Sequence, residues 1–338
     1  MLPIIAGLYN PSILAALAIT VLTCLYIIRK YFSDPKEPNV NDKYVFITGC
    51  DRGFGKMAAE RLDKLGFHVI AACFTSEGEE KLVKECSDKI TTFRLDVTKT
   101  EQVQDVYLKV KALIPRDQGL WGVVNNAGIA EVGPADWVSL KQFQAVADVC
   151  LWGLIDVTKT FLPLVKMAKG RIVNLVSIGG RVCLPNVATY SVAKYGAEAF
   201  SDAIRRELVA FGIKVSIIEP GFFNTEMTNP KILEKSWADL WDSLDKEVKE
   251  EYGEQYYQTC VKNILSGVVD ICSSPHTYKV IDAIAHALTS TNPKPRYVIG
   301  WDSRLLWIWL SRLPTRVGDF ILSLLGEKAT PASTLHKS

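Results

Sequence analysis

The sequence contains no Cys-x-x-Cys pair and no histidine cluster, and its one Asn-x-Ser candidate, Asn10-Pro11-Ser12, is blocked by proline. With four histidines in all, and eight cysteines scattered at 24, 50, 73, 86, 150, 183, 260 and 272, neither a metal site nor a disulfide framework is indicated. That pattern suits a reducing, non-secretory compartment. Excess charge is also lacking: 39 Lys and Arg against 37 Asp and Glu leave a formal +2 without a long basic run, which argues against nucleic acid as a partner. No internal repeat or low-complexity segment occurs. What is present is 338 residues, 48% hydrophobic and 22% charged, enough for one large α/β domain or two small ones.

No charged side chain occurs from Met1 to Ile28, and Ile13 to Ile28 reads ILAALAITVLTCLYII before Arg29-Lys30 closes the run. As a helix, Pro11 to Ile28 would reach roughly 27 Å, close to the hydrocarbon thickness of a thin bilayer. Residues 1–30 therefore read as a membrane anchor and 31–42 as a linker. A cleaved signal peptide would place its positive charge before the apolar run, whereas here it follows, in Arg29, Lys30 and Lys36. This flank places the body on the cytosolic side, and the membrane expected is the endoplasmic reticulum. A mitochondrial address is disfavoured, because the stretch lacks the arginines of a transit peptide. At the other end, residues 301–338 interleave Trp301, Leu305, Trp307 and Trp309 with Arg304, Arg312 and Arg316. Such a segment suits either a bilayer interface or a helix packed on the domain or on a second copy; Pro314 argues against a continuous span.

Between these ends, residues 43–300 alternate short apolar strands with helices. Strands are predicted at Lys43–Thr48, His68–Cys73, Thr92–Leu95, Gly122–Asn125, Gly170–Val176 and Val215–Glu219, with a helix over Lys56–Leu65. This βαβ alternation specifies a doubly wound parallel sheet, a Rossmann-type α/β domain. Thr48-Gly49-Cys50-Asp51-Arg52-Gly53-Phe54-Gly55 sits at the first strand-to-helix turn. Gly49 permits the turn, Gly53 lets backbone approach a pyrophosphate, and Gly55 lets helix and strand pack closely. Asp96-Val97 and Asn125-Asn126-Ala127-Gly128 end later strands at the same carboxyl edge, where open sheets bind ligands.

Ser177 precedes Tyr190 by thirteen residues, and Lys194 follows Tyr190 at i+4, one turn along the same helix face. A phenol with a usual pKa of about 10 is a poor base at neutral pH, and an ammonium nearby favours its phenolate. Tyr190 is therefore the candidate acid/base, Lys194 its tuner and a ligand of the cofactor ribose, and Ser177 a hydrogen-bond donor to the reacting substrate oxygen.

TGCDRGFG (48–55), NNAG (125–128), Ser177, Tyr190-Ser-Val-Ala-Lys194 and EPG (219–221) with Thr225 resemble, in order and spacing, the short-chain dehydrogenase/reductase family. GLWGVVNNAG (119–128), EAFSDAIRREL (198–208) and EPGFFNT (219–225) look most like its retinol dehydrogenase and 17β-hydroxysteroid dehydrogenase type 6 branch, with 3-hydroxybutyrate dehydrogenase a near relative. The resemblance implies an NAD(P)-dependent oxidoreductase acting on a secondary or allylic alcohol, with Pro220, Gly221 and Thr225 bordering the nicotinamide and a homodimer by analogy. It departs from the family at Cys150, where asparagine usually helps order a water chain from the lysine. A thiol is a weak donor and a weak acceptor, so the expectation is that it does not reproduce an amide's bonds. Two outcomes follow from that: backbone and water complete the proton path, or turnover is impaired and the chain is a cofactor-binding membrane scaffold. A nucleophilic role for Cys150 is disfavoured, since no histidine is adjacent in sequence.

The choice of cofactor is NAD, with NADP not excluded. The second strand ends Ala72-Cys73-Phe74-Thr75 without the acid that commonly meets a ribose, and Arg52 is the one cation near enough to suggest a 2′-phosphate. Residues 225–274 are expected to cover the substrate. There Trp237, Leu240, Trp241 and Leu244 recur at helical spacing, which fits either a large apolar ligand or ordinary core packing. The anchor favours a lipophilic substrate such as a retinoid or steroid over a small hydroxy acid of the 3-hydroxybutyrate type.

Overall fold

The structure, a computed structural model, describes residues 11–32, 35–37, 39–325 and 327–335. Residues 1–10 of the expected anchor, 33, 34 and 38 of the expected linker, and 326 and 336–338 of the C-terminal segment lie outside them. Helix α1 (Pro11–Phe32) holds 22 residues and no acid in its first turn. No helix is long and apolar enough to cross a membrane among the residues described with their side chains; in α1 those are Ser12 and 15–24.

The body is one seven-stranded, wholly parallel sheet in the order β3-β2-β1-β4-β5-β6-β7. Its strands are β1 (Tyr44–Thr48), β2 (His68–Cys73), β3 (Ile90–Arg94), β4 (Gly122–Asn125), β5 (Arg171–Leu175), β6 (Lys214–Pro220) and β7 (Arg296–Ile299). The first six fall on the predicted segments. The seventh, RYVI, which follows Pro293 and Pro295, is not among them.

Strand alternation sends side chains to two cores. Val45 and Ile47 face α2 (Gly53–Lys64) through Ala58, Ala59 and Leu62, and α11 (Tyr278–Thr289) through Val280, Ile284 and Leu288. Phe46 and Ile70 face α4 (Thr100–Leu113), α6 (Leu154–Ala168) and α7 (Ala188–Glu207), where Phe46 stacks on Phe161 at 4.3 Å between centroids. The lesser helices are α3 (Ser76–Glu85), started by Thr75 accepting from the Gly78 N–H, and α5 (Leu140–Ala147), started by a Ser139/Gln142 capping box. Over residues 225–274 come α8 (Pro230–Asp242), α9 (Lys246–Tyr252) and α10 (Glu254–Lys262). After β7, Pro314 ends one helical stretch and α12 (Thr315–Ser323) begins beyond it.

The expected linker is in fact docked. Glu37 donates its N–H to the Thr289 carbonyl, and its carboxylate meets Lys43 at 3.1 Å and the buried Arg171 at 2.7 Å. Arg171 and Lys43 both lie over the Trp121 ring. A buried guanidinium requires a carboxylate, and Glu37 supplies it.

Candidate active site

The sheet brings the carboxyl ends of β1, β4, β5 and β6 to one edge. At the end of β1, Gly49 has φ +69°, and a Cβ there would lie 2.8 Å from the Ala127 Cα, so only glycine fits beneath the NNAG turn. Gly53 also has positive φ, +59°, but with open space around it, while Gly55 packs against the Gly49 backbone. Helix α2 starts at Gly53, three residues before the sequence suggested, with neither a side-chain cap nor an acid in its first turn. The start of α2 thus lacks a side-chain cap, with open space at Gly53, and these residues fit a pyrophosphate. Phe54 meets Phe223 edge-on at 6.0 Å and joins this turn to the loop after β6.

Two predicted cofactor contacts are spent inside the protein instead. The buried Thr48 hydroxyl accepts the N–H groups of Asn126 and Ala127, both at 3.1 Å. Asn125 Nδ2 donates to Thr158 and Asn174 at 2.8 Å, so its side chain bonds β4 to β5 and α6. Asn125 Oδ1 is buried without a hydrogen-bond partner. Sequence reading passed over the side chain of Asn126, whose Nδ2 bonds the carbonyls of Thr48 and Gly49 and shapes the turn. Asp51 caps the end of β2, accepting from the Phe74 N–H at 2.8 Å, the Thr75 N–H at 2.6 Å and the Thr75 hydroxyl at 2.7 Å. The glycine turn thus sets a carboxylate beside the end of β2. Arg52 is turned to Glu226 at 2.6 Å. Asp96 accepts from the N–H and hydroxyl of Thr98, and Val97 packs against Gly153.

Ser177, Tyr190 and Lys194 converge as their spacing implied. A Cβ on Gly179 would lie 3.3 Å from Tyr190 Cε1 and 3.4 Å from Ser177 Oγ, so both side chains flank one glycine. Lys194, on α7 one turn beyond Tyr190, is buried; its Nζ lies 5.4 Å from the Tyr190 ring centroid and donates to the Leu175 carbonyl at 3.1 Å. Burial alone would lower its pKa, but Tyr190, Cys150 and Glu198 outweigh that and hold the ammonium above its usual value. Gly128 sits between, since a Cβ there would be 3.6 Å from Cys150 Sγ and 3.8 Å from Lys194 Nζ.

The thiol at 150 makes two backbone contacts. Cys150 lies in a π-helical turn, Asp148–Gly153, between α5 and α6. Its Sγ accepts the Ile129 N–H at 3.4 Å and donates to the Ile129 carbonyl at 3.2 Å. One residue presents both backbone groups to one sulfur, so a weak donor and acceptor still completes both contacts.

Residues 43–236 match the family of short chain dehydrogenases. The chain belongs to the short chain dehydrogenase family. It is 46% identical over 286 residues to short-chain dehydrogenase/reductase family 9C member 7 of Mus musculus, covering 84% of this chain and 90% of that protein. It is 45% identical over 308 residues to retinol dehydrogenase 7 of Rattus norvegicus, covering 90% and 96%. Among solved structures, a short-chain dehydrogenase from Streptomyces avermitilis superposes with a TM-score of 0.63 at 25% identity, over 84% of this chain and 95% of its own. A 3-ketoacyl-(acyl-carrier-protein) reductase from Brucella melitensis, complexed with NADH, gives 0.53 at 25% identity over 56% and 79%. The protein is an NAD(P)-dependent oxidoreductase.

In this dehydrogenase the loop after β6 is held from a distance. Gly221 donates its N–H to the Ile299 carbonyl, and Phe222 donates to the Asp302 carboxylate at 3.0 Å, which also accepts Trp307 Nε1 at 3.1 Å. Asp302 was not among the expected residues. Burial pushes its pKa up, against those hydrogen bonds. Thr225 borders a cleft of about 370 Å³ with Thr228, Pro230, Val269, Asp270 and Ser273; it holds an acid and no cation, and it is lined by neither Ser177 nor Tyr190. The helical aromatic stripe resolves as packing: Trp237 is fully buried against Trp137, and Trp241 stacks on Tyr257 at 5.0 Å. Met227, Ile232 and Ile271 are the exposed apolar side chains nearest the cleft in sequence.

Proposed function

We propose that this enzyme is a membrane-bound dehydrogenase that interconverts a lipophilic alcohol, a retinoid or a hydroxysteroid, with its carbonyl form. The observation that carries the reading is the convergence of Ser177, Tyr190 and Lys194 beside the open glycine turn. When bound, NAD takes or returns the hydride. The backbone of Gly49, Gly53, Phe54 and Gly55 would hold its pyrophosphate, with Asp96, Val97, Ala127 and Gly128 along the adenosine and Pro220, Gly221 and Thr225 beside the nicotinamide. Tyr190 exchanges the proton with the substrate oxygen, Ser177 donates a hydrogen bond to that oxygen, and Lys194 keeps a positive charge behind the phenol and meets the ribose.

Asp51 at the end of β2 supports NAD over NADP, because a 2′-phosphate would meet its charge. Arg52, paired with Glu226, is already engaged. The relatives named retinol dehydrogenase favour a lipophilic alcohol over a small hydroxy acid. Cys150, bonded on both sides to Ile129, speaks against the impaired scaffold. The 22-residue α1, followed by the docked strap at 35–37, supports anchoring in the endoplasmic reticulum with the catalytic domain cytosolic.

The test is dinucleotide absorbance on membrane preparations, offering NAD⁺ and NADP⁺ separately with all-trans-retinol, a 3α- or 17β-hydroxysteroid and 3-hydroxybutyrate. Turnover of one lipophilic alcohol with NAD⁺ is expected. Turnover of 3-hydroxybutyrate alone, or silence with dinucleotide binding intact, would overturn the reading.

A further inference from the structure

Both flanks of the domain leave it along the same edge. The order of strands puts β7 at the rim of the sheet. Just before β7, the strap at Pro35 and Glu37 runs along Thr289 to Thr291; just after it, the chain turns out at Trp301. From there to Leu325 the segment has two unlike faces. Trp307 and Leu310 are buried, and with Leu306, Ile308, Ile321 and Leu322 they pack on Ile178, Val182 and Cys272, in the wall next to Ser177. The other face is bare: Trp301, Leu305, Trp309, Phe320, Leu324 and Leu325 are each about half exposed or more, with Leu305 at 73%. Six large apolar side chains left exposed on a segment otherwise packed on the domain mark a contact surface.

The charges decide what covers it. Arg304, Arg312 and Arg316 stand exposed among these side chains, Arg312 over the Trp309 ring at 5.4 Å, against one exposed acid, Asp319. A two-fold contact with a second copy would set three arginines against themselves with one exposed carboxylate, Asp319, to pair them. A bilayer with anionic headgroups satisfies both halves: arginines reach the phosphates, and indole and aliphatic groups enter the interface. Pro314 and the packing on Ile178 keep the segment in the plane of the surface.

We propose that residues 301–325 are an in-plane docking surface for an anionic lipid bilayer, seating the β7 edge on the membrane and placing the wall beside Ser177 next to the lipid phase. This rests on the reading of a membrane-bound enzyme and adds how it sits.

The two readings are separated by using the full-length protein with vesicles of phosphatidylcholine and phosphatidylserine, whose acyl chains are brominated. Flotation reports on membrane binding; bromine quenching of tryptophan reports on the surface. Expected are flotation together with quenching, of which Trp301→Phe/Trp309→Phe loses roughly half or more while still floating. Arg304→Gln/Arg312→Gln/Arg316→Gln should weaken quenching only where phosphatidylserine is present. Flotation without quenching, quenching unchanged in the double tryptophan variant, or a dimer that Phe320→Asp splits in place of quenching would overturn the surface and leave the anchor standing. Failure to float would overturn both.

Discussion

Cys150 and Ile129 face each other as sulfur to backbone, with the thiol accepting the Ile129 N–H at 3.4 Å and donating to its carbonyl at 3.2 Å. The contact fixes the π-helical turn against the strand end that carries Ala127 and Gly128, a few ångströms from Lys194 Nζ. Cys150→Ala removes both bonds and leaves a small void, at a cost of about 1–2 kcal/mol. A lower unfolding midpoint and a several-fold loss in kcat are expected. Cys150→Asn, which offers an amide donor and acceptor to the same backbone groups, should keep turnover within about threefold of the parent. Parental stability and kcat in the alanine variant would show the contact to be idle.

Tyr190 and Ser177 flank Gly179, and Lys194 lies behind the phenol ring; in the proposed reading the proton and the dinucleotide are handled by different atoms. Tyr190→Phe deletes one hydroxyl and leaves the glycine turn untouched. It should lower kcat by about a thousandfold or more while changing dinucleotide affinity by less than about threefold. Fluorescence titration with NADH gives the second quantity independently of turnover. An active phenylalanine variant would remove Tyr190 from the reaction.

Asp51 places its carboxylate against the Phe74 and Thr75 N–H groups at the end of β2. Asp51→Asn removes the charge and keeps one acceptor oxygen for the cap. The ratio of kcat/KM for NADP⁺ to that for NAD⁺ should rise about tenfold, since a 2′-phosphate no longer meets an anion. An unchanged ratio, with the variant as stable as its parent, would place cofactor choice elsewhere.

The first six strands, the glycine turn and the Tyr190, Lys194 pair were legible because each is written locally, in β-branched runs, in glycine spacing or at i, i+4. Contacts closed by the tertiary fold were not. Arg171 meets Glu37 across 134 positions and Phe222 meets Asp302 across 80, so neither the strap nor the brace under the loop after β6 has a local signature. Trp237 was ambiguous for the same reason, because its neighbour Trp137 comes from a distant loop. Thr48 and Asn125 sit in recognisable motifs at the ligand edge, yet the sheet itself uses their side chains. A motif fixes where a residue lies more firmly than which way its polar atoms turn.

Glu198 and Glu219 share Arg296, which also meets Asp202 at 2.9 Å, and Arg181 reaches Glu219 at 3.1 Å. Glu198 Oε1 and Glu219 Oε2 are buried without a hydrogen-bond partner, an arrangement that favours a proton on one of them. Burial first, then the Glu219 carboxylate, push Glu198 from 4.5 up to about 8, against the pull of Arg296. A carboxyl raised in the folded state holds a proton there that the unfolded chain has lost. Its stability contribution is therefore whole below about 4.5, declines as pH rises, and is gone above about 8, with a slope of up to about 1.4 kcal/mol per unit. The urea midpoint should fall between about pH 6 and pH 8.5, and Glu198→Gln should flatten that fall by carrying no titrating proton. Glu198 lies one turn beyond Lys194 and Glu219 directly precedes Pro220, so this proton sits behind both walls of the site. If Glu198→Gln leaves the slope as steep as before, the titrating group is another one and the two carboxylates ionise together on Arg296 and Arg181.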